Sequence, residues 1–333
     1  MPAEWERHRA TYMTWPHNQD TWPGKFAPVP TQYAAVVAAL SHYEAVRMLV
    51  EDEVAEHQAG ALLRQAGARI ESVEFLRYPT NDSWIRDYGP IFVGRADGMQ
   101  LALDWNFNSW GDKYGRCDLD DAIPERLASG YGFDCLQVPM VLEGGSIDVN
   151  GLGSLLTTQS CLLNPNRNPA MSKADIEEYL RVYLGVNNIL WLGEGIAGDD
   201  TDGHVDDLAR FIAPDTILTV IEQDPADDNY RPLADNLKRL QAMRDQGGSP
   251  FRIETLPMPP ALYHEGQRLP ASYANFYFAN GAVLMPTFGC PTDEQAWAIL
   301  SRLLPDRQVI GLPCLDLVWG LGTIHCLTQQ HPQ

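Results

Sequence analysis

The sequence predicts an α/β fold in which strands and helices alternate along one continuous array. Apolar runs of strand length followed by segments with helical periodicity recur along much of the chain. The composition, with 45% hydrophobic and 20% charged residues, is that of a globular protein. No charged or Ser/Gly-rich linker divides the 333 residues, so the alternation continues without an evident domain boundary.

Periodicity and end signals predict the individual elements. Ser172 and Asp175 have the spacing of a capping box, which marks the start of a helix. Asn280-Gly281 between two apolar runs predicts a hairpin with a type I′ turn, and the run from Thr292 is expected to cap the last helix. The aromatic opening of the chain is expected to be irregular but packed. In chain order, the predictions are helices at 30–40, 53–66, 172–183, 231–244 and 292–304, and extended segments at 46–50, 70–76, 188–192, 251–256, 275–285 and 308–312.

Charge and targeting signals narrow the class of partner. The formal net charge is −20 and the pI is near 4.6, with no Lys/Arg-rich run, which argues against nucleic acid and anionic membranes as partners. A cationic small molecule would be attracted by such a field. No run approaches the ~18 apolar residues of a membrane span, and the N-terminus lacks the pattern of a signal peptide. We therefore predict a cytoplasmic protein whose six cysteines, none in a CxxC pair, are free thiols.

The most unusual stretch is the aspartate-rich run at 198–207. If the segment after Gly203 is extended, His204 and Asp206 point to one face with Val205 opposite. A base and a carboxylate placed in this way could grip and protonate a substrate. The same residues, with Asp200 and Asp202, could instead hold a metal, or the run could be a solvated acidic turn.

Three other loops carry unusual chemistry. Arg86 and Asp87 are adjacent, beside Trp84 and before a Gly-Pro break, and a salt-bridged turn is the preferred interpretation of Arg86. Glu143 lies between apolar residues and a Gly-Gly pair, which indicates close backbone approach at a strand end. Near the C-terminus, two glycines precede Cys326, and this pair alone is too weak a pattern to indicate a nucleotide-binding site.

Together these loops favour a planar, cationic substrate. A guanidinium is always charged and presents a fork of N–H donors that matches carboxylates in bidentate fashion. Paired carboxylates would offset the cost of burying it. A cysteine thiolate could then attack its central carbon, while a histidine protonates the leaving ammonia and activates water.

Several multi-residue segments resemble the agmatine deiminase family, within the wider agmatine and peptidyl-arginine deiminase group of guanidino-group-modifying enzymes. The segments stand in the family's order and run from the first residues to the last few. They are residues 84–90, 143–146, 198–206 and 324–330, with supporting matches at 1–6, 161–169 and 271–277.

The resemblance implies a single domain, residues 1–333, folded as a five-bladed α/β propeller (a pentein) of pseudo-fivefold ββαβ units around a central site. It implies that Cys326 is the nucleophile and forms a covalent amidino-cysteine, and that His204 is the general acid/base. Asp87 and Asp206 would grip the guanidinium, and Glu143 would support the histidine and contact the substrate. Trp84 is added as a candidate substrate-binding residue. No metal or organic cofactor is implied, and the resemblance is compatible with a homodimer.

The implied reaction is hydrolysis of agmatine to N-carbamoylputrescine and ammonia, a step of putrescine and polyamine biosynthesis. Alternative substrates are peptidyl-arginine or another guanidine, and a non-catalytic guanidinium binder is the alternative of another class. The chain departs from the family where Leu321 interrupts a run that is usually three glycines, and where Asp148 and Asn150 replace His and Asp. Asp199, Asp200 and Asp202 are expected to shape the loop around Gly203.

Overall fold

The fold consists of many short strands interleaved with ten helices, and the computed structural model describes all residues from Met1 to Gln333. The strands are β1 (His8–Thr14), β2 (Ala45–Val50), β3 (Val73–Arg77), β4 (Ile91–Gly94), β5 (Gln100–Asn106), β6 (Cys135–Val141), β7 (Asp148–Val149), β8 (Ser154–Thr158), β9 (Asn188–Leu192), β10 (Ala209–Ala213), β11 (Thr216–Ile221), β12 (Arg252–Pro257), β13 (Tyr263–His264), β14 (Gln267–Arg268), β15 (Tyr277–Ala279), β16 (Ala282–Thr287), β17 (Gln308–Pro313) and β18 (Gln329–Pro332).

The helices include six of more than four residues. In chain order they are α1 (Val29–Ser41), α2 (Glu53–Gln65), α3 (Ile85–Tyr88), α4 (Ser109–Asp112), α5 (Asp118–Asp121), α6 (Ile123–Tyr131), α7 (Gln159–Leu162), α8 (Lys173–Leu184), α9 (Tyr230–Ala242) and α10 (Thr292–Leu303). None of the helices combines the length and the apolar composition that a membrane span requires.

The strands form five sheets of three or four strands and one separate hairpin, β13–β14. The three-stranded sheets β4-β5-β6, β7-β8-β9, β10-β11-β12 and β15-β16-β17 repeat one pattern: an antiparallel pair followed by a parallel pair. At least one helix lies between the two parallel strands, as a parallel connection requires. The α/β class predicted from the alternation is confirmed.

The fifth sheet, in the order β18-β1-β2-β3, joins the two ends of the chain. β18 pairs antiparallel with β1, so that Gln330 lies opposite Thr11. The C-terminal strand therefore completes the sheet that the first strand begins. This pairing fixes the position of Cys326, three residues before β18.

Predicted and observed elements agree best for the longer helices and for strands beside them. The capping box at Ser172 is present, with the Asp175 side chain accepting from the Ser172 N–H. The segment predicted as extended at 70–76 starts instead with a 3-10 turn, Ile70–Ser72, before β3. β1 lies within the N-terminal region that was expected to be irregular.

Two local predictions are wrong, one of a hairpin turn type and one of a helix N-cap. In the β15–β16 hairpin only Gly281 has a positive φ, +85°, so the turn at Asn280-Gly281 is not type I′, which needs both. The Asn280 side chain exchanges hydrogen bonds with the backbone of His8, and its own N–H donates to Glu44, which ties this turn to the neighbouring sheet. Thr292 is not the N-cap of α10; Asp293 instead accepts hydrogen bonds from the preceding loop.

Candidate active site

The predicted site residues converge where the loops that follow several strands meet, beside a cavity of about 520 Å³. Trp84, Asp87 and Cys326 line the cavity directly. Asp206, Glu143 and His204 lie behind them and are fully or almost fully buried. These residues come from four separate loops, so that the site exists only once the sheets have assembled.

Cys326 is 8% exposed and faces both the cavity and a layer of carboxylates. Its Sγ lies 3.8 Å from Asp206 Oδ2 and accepts a hydrogen bond from Asn275 Nδ2 at 3.2 Å. Burial, and next the charges of Asp206, Asp207 and Asp87, raises the pKa of the thiol well above its ordinary value. Without a bound cation, this shift favours the thiol form.

Asp87, His204 and Asp206 meet around Gly145. A Cβ atom on Gly145 would lie 2.7 Å from His204 Nδ1, 2.8 Å from Asp87 Oδ1 and 3.0 Å from Asp206 Oδ2. The Gly145 N–H also donates to Asp87 Oδ1 at 2.9 Å. The close backbone approach predicted for the Gly-Gly pair is thus present, and its cause is the space that these side chains need.

Asp87 belongs to the short helix α3 and is 5% exposed. Its second oxygen accepts a hydrogen bond of 2.9 Å from Trp110 Nε1. Burial raises the pKa of Asp87 to about 6; the positive charge of His204 opposes this shift and the charge of Asp206 adds to it. A guanidinium bound against Asp87 would favour the ionised form.

The segment after Gly203 is not extended beyond His204, so the condition on which the sequence prediction depended is not met, although His204 and Asp206 both reach Gly145. A 3-10 turn, Val205–Asp207, follows His204 because Asp199 and Thr201 accept hydrogen bonds from the His204 N–H and fold the loop back. Its Nδ1 lies 3.7 Å from Asp87 Oδ1. Burial alone would lower the pKa of His204, but the charge of Asp87 and the thiol of Cys161 outweigh it and raise this pKa well above the ordinary value.

Glu143 lies on the far side of His204, where a cysteine completes a possible metal-ligand set. Glu143 Oε1 accepts a hydrogen bond of 2.6 Å from Arg167 Nε, whereas Glu143 Oε2 and His204 Nε2 have no hydrogen-bond partner. The ligand atoms of Glu143, Cys161 and His204 lie within 4.8 Å of one another, and such a group could hold a soft divalent ion. The alternative set of Asp200, Asp202, His204 and Asp206 does not come together in this way.

The remaining aspartates of the acidic run shape the loop, as expected. Asp199 accepts hydrogen bonds from Thr201 and His204. Asp202 has a positive φ of +68° and pairs with Arg167 and Lys113. Asp200 accepts a hydrogen bond from the Tyr114 hydroxyl.

A second group of buried charges, here called the support network, lies directly behind Asp206. His325 has one ring nitrogen 2.6 Å from Asp206 Oδ2 and the other 2.6 Å from Glu4 Oε2. Arg210 pairs with Glu4 and with Asp148, at 2.9 Å and 3.1 Å. Arg86 lies 3.5 Å from Glu4 and donates to Gln330 and to the His325 carbonyl, which confirms its interpretation as a salt-bridged residue. The support network is Glu4, Arg86, Asp148, Arg210 and His325.

The loop before Cys326 is held against two tryptophans. A Cβ on Gly320 would lie 2.6 Å from the Trp22 ring, and one on Gly322 would lie 2.6 Å from the Trp84 ring. Leu321, between them, adopts a left-handed φ of +69° and is part of the cavity lining. Trp84 therefore supports the thiol loop as well as lining the cavity.

Sequence reasoning missed four residues that position the site. Asn275 donates to the thiol, accepts from Thr323 Oγ1 and accepts from the His325 N–H. Trp110 orients Asp87, Arg167 holds Glu143, and Arg210 anchors the support network. Asn275 and Arg167 both lie in the supporting segments 271–277 and 161–169, so those segments contained a signal for them.

Known proteins are similar to this chain over its whole length. The model of the Porphyromonas-type peptidyl-arginine deiminase family matches residues 1–332. An agmatine deiminase of Pseudomonas aeruginosa is 37% identical, with 100% of this chain and 95% of that protein aligned. A solved agmatine deiminase of C. jejuni, a cysteine-to-serine variant with substrate bound, has a TM-score of 0.91 at 34% identity over 100% of this chain and 96% of that one. The agmatine deiminase of Enterococcus faecalis has a TM-score of 0.92 at 33% identity, covering 100% and 95%.

Proposed function

This chain belongs to the Porphyromonas-type peptidyl-arginine deiminase family, and on that premise we propose that it is an agmatine deiminase. It would hydrolyse agmatine to N-carbamoylputrescine and ammonia, a step towards putrescine. The observation that carries the proposal is the position of Cys326: a buried thiol faces the cavity beside Asp206, and Asp87, which lines the same cavity, lies 3.7 Å from His204. The P. aeruginosa, C. jejuni and E. faecalis relatives bear the same name.

The carboxylates provide a binding place for a planar cation. Asp87 lines the cavity, and Asp206 Oδ1 is buried without a hydrogen-bond partner. A guanidinium placed over Cys326 would donate to both, since its N–H groups fan out in one plane. Glu143 Oε2, also without a partner, could take a further N–H or steady His204. Filling these acceptors offsets part of the cost of burying several negative charges together.

Bound substrate would also activate the nucleophile. The pKa of Cys326 is raised by burial and by nearby carboxylates, and a guanidinium in van der Waals contact reverses the sign of that local charge. Substrate binding lowers the thiol pKa, so that its proton passes to the solvent, and the Cys326 thiolate attacks the central guanidinium carbon, forming the S–C bond. His204 gives its proton to the departing nitrogen, the C–N bond breaks, and ammonia leaves an S-alkylthiouronium on Cys326.

The second half-reaction regenerates the thiolate. His204, neutral after giving up its proton, accepts a proton from water, and the resulting hydroxide adds to the thiouronium carbon. The hydroxyl proton of the tetrahedral adduct passes to the solvent as the C–S bond breaks, which releases N-carbamoylputrescine and leaves the Cys326 thiolate beside a protonated His204. One base serves both steps, which is consistent with the raised pKa of His204 in the resting protein.

Intact-mass measurement during turnover tests the proposal. Quenched protein should carry an adduct with the mass of agmatine minus ammonia, and the adduct should disappear when substrate is exhausted. Cys326→Ser, the matched control, should bind agmatine, form no adduct and lose turnover. Steady turnover by Cys326→Ser contradicts the nucleophile assignment.

Substrate competition separates agmatine from the peptide alternative that the family description suggests. Assays of agmatine, free arginine and an arginine-containing peptide should give turnover of agmatine with much weaker turnover of the other two. Efficient turnover of the peptide or of arginine, with none of agmatine, would retain the chemistry and overturn the substrate.

The architecture and assembly also belong to this proposal. We infer one domain, residues 1–333, arranged as a five-bladed propeller, because five sheets repeat a similar pattern and β18 joins the sheet of β1. A homodimer stays a prediction, which sedimentation equilibrium would measure. The protein is expected to act in the cytoplasm, without metal or organic cofactor.

A further inference from the structure

Three buried side chains behind the cavity form a group that the deimination chemistry uses only in part. One ligand atom from each of Glu143, Cys161 and His204 lies within 4.8 Å of the others. It is the one group of three or more cysteine, histidine or acidic residues in this chain whose ligand atoms meet at such distances. Cys161 takes no part in the proposed reaction, so the group needs an explanation of its own.

Two atoms of this group are buried without a hydrogen-bond partner. They are Glu143 Oε2 and His204 Nε2, on residues that are 0% and 1% exposed. The other carboxylate oxygen of Glu143 is occupied, since it accepts a hydrogen bond of 2.6 Å from Arg167 Nε. Buried polar atoms are nearly always paired, so a carboxylate oxygen and a ring nitrogen left open in one group indicate a partner from outside the chain.

Backbone contacts hold the thiol and the histidine of the group in fixed positions. Cys161 lies in α7, whose N-cap residue Thr158 accepts a hydrogen bond of 3.2 Å from the Cys161 N–H. The Thr158 hydroxyl donates to the Gly203 carbonyl at 2.6 Å, directly before His204. One side chain thus ties both ligand-bearing segments together, and such outer contacts are typical of built metal sites.

The donor set selects a thiophilic divalent ion. Thiolate, imidazole and carboxylate are the protein ligands of Zn²⁺, and a set of three leaves the fourth position of a tetrahedron to water. Zn²⁺ bonds of about 2.0–2.3 Å place neighbouring ligand atoms roughly 3.3–3.8 Å apart, so atoms that lie within 4.8 Å need to close by no more than about 1.5 Å. Mg²⁺ and Ca²⁺ prefer sets made only of oxygen ligands, which this group does not provide.

We propose that Glu143, Cys161 and His204 form an inhibitory binding site for Zn²⁺ and other thiophilic divalent ions. Bonds form at Cys161 Sγ, His204 Nε2 and Glu143 Oε2, and the thiol proton and any proton on His204 Nε2 pass to the solvent. Neutral imidazole has a single free lone pair. Once that lone pair binds the ion, His204 has none left for the proton of the attacking water, and turnover stops. The loss of turnover rests on the proposed function, whereas the binding itself does not.

Burial gives this inhibition a characteristic time course. None of the three side chains lines the cavity, so an ion reaches them only through local opening of the fold. Inhibition by Zn²⁺ should therefore develop slowly after mixing. An ion that binds Cys326 instead, which faces the cavity, would act at once.

Cobalt spectroscopy on the Cys326→Ser variant tests the binding in the absence of the nucleophile. Co²⁺ stands in for Zn²⁺, and a thiolate ligand gives it a sulfur-to-cobalt charge-transfer band. We expect one equivalent of Co²⁺ to produce this band and Zn²⁺ to abolish it by displacement. Adding Cys161→Ser should remove the band. Adding Cys314→Ser, the matched control, changes a fully buried thiol outside the group and should retain it.

Inhibition is measured on proteins that keep Cys326. Zn²⁺ should inhibit the wild-type protein after preincubation, and a chelator should restore the rate. Cys161→Ser should raise the Zn²⁺ concentration for half-inhibition at least about 10- to 100-fold, because even the partners of metal ligands affect metal affinity by that much. Each protein is compared with its own rate without metal. Cys161→Ala should give the same result, and urea midpoints show which of the two variants is folded.

The outcomes separate this inference from the proposed function. A charge-transfer band that survives Cys161→Ser, or its absence in the Cys326→Ser protein, overturns the site. Immediate inhibition that is equally sensitive to Zn²⁺ in the folded Cys161 variant overturns the inhibitory role and assigns the effect to Cys326. Turnover of agmatine stands in both cases. If the wild-type protein turns over no agmatine, the proposed function fails, while the cobalt titration still decides the metal site.

Discussion

Two groups of buried charges lie back to back in this protein, and they differ in how completely their charges are paired. In the support network, Glu4 contacts Arg86, Arg210 and His325, and Asp148 contacts Arg210. Although burial opposes it, Arg210 and His325 hold the pKa of Glu4 well below its ordinary value. Those charges compensate one another within the folded chain.

The active-site cluster, defined as Asp87, Glu143, His204, Asp206 and Cys326, is left incomplete. Glu143 Oε2, His204 Nε2 and Asp206 Oδ1 have no hydrogen-bond partner, and the pKa of Asp87 is raised to about 6, chiefly by burial. Unsatisfied polar atoms at this density, two carboxylate oxygens and one ring nitrogen, are unfavourable in an ordinary core. They make sense where a cationic substrate is to complete the set.

Asp206 joins the two groups, since its Oδ2 faces both His325 and Cys326. The complete network therefore holds a carboxylate of the incomplete one in place. Stability and reactivity are thus separated between adjacent layers of one core. Changes in the active-site cluster should mainly affect turnover, and changes in the support network should mainly affect the free energy of unfolding.

After the loss of the Cys326 nucleophile, replacement of His204 should give the largest effect on turnover. His204→Asn removes the acid/base, so kcat should fall about 10²- to 10⁴-fold. The free energy of unfolding should fall less than in the His325 variant described next, because His204 Nε2 has no hydrogen-bond partner and Nδ1 lies as far as 3.7 Å from Asp87 Oδ1. Steady-state kinetics and urea denaturation on one preparation measure both.

His325→Asn is the paired comparison for that experiment. Each ring nitrogen of His325 has a carboxylate partner, so its loss should lower both turnover and stability. An equal loss of stability in the His204 and His325 variants would show that the active-site cluster and the support network contribute alike to the stability of the fold.

Removing the central cation of the support network should give the largest loss of stability. Arg210→Met leaves Glu4 and Asp148 buried without their partner, which should lower the free energy of unfolding by about 3–5 kcal/mol. Arg239→Met is the control: its ion pair with Asp235 on α9 is far more exposed and should contribute less than about 0.5 kcal/mol. Similar urea midpoints for both variants would contradict the assignment of Arg210.

The active-site cluster could be predicted from the sequence, whereas the support network could not. Asp87, Glu143, His204 and Cys326 stand in short runs with glycine or tryptophan neighbours, and such local patterns are visible in one dimension. The contacts of the network join residues far apart: His325 and Glu4 are separated by 321 positions. No periodicity encodes a partner at that distance, and Glu4 taken alone resembles any surface acid.

The same reason explains the errors in the fold. Helices such as α8 were located closely because their capping and periodicity are local. The turn at Asn280 was assigned incorrectly because its geometry depends on His8 and Glu44 in another sheet. The loop at His204 is a different case: its N–H donates to Asp199 and Thr201, which are local partners, and a 3-10 turn forms where an extended segment was one possibility.

The smallest and most specific effect is on the pH dependence of binding. Only ionised Asp87 can pair with a guanidinium, and because burial raises its pKa to about 6, affinity should weaken as the pH falls through that value. The pKa of Asp206 is below its ordinary value, since His325 outweighs burial, so Asp206 stays ionised in this range. In the Cys326→Ser variant, which has no thiol to titrate, Kd for agmatine should be constant just above pH 6. Below it, Kd should rise about tenfold per pH unit, as expected for one proton.

Trp110→Phe in the Cys326→Ser background sharpens this test. The Trp110 N–H stabilises the ionised form of Asp87, so its removal should raise the pKa of Asp87 and move the onset of weak binding to higher pH. Trp297→Phe is the control, because Trp297 donates to the Val309 carbonyl on the outside of the molecule and should leave the profile unchanged. An onset near pH 4 in the parent variant would show that Asp87 behaves as an ordinary solvated carboxylate. In that case the incomplete cluster would not be poised for a cation.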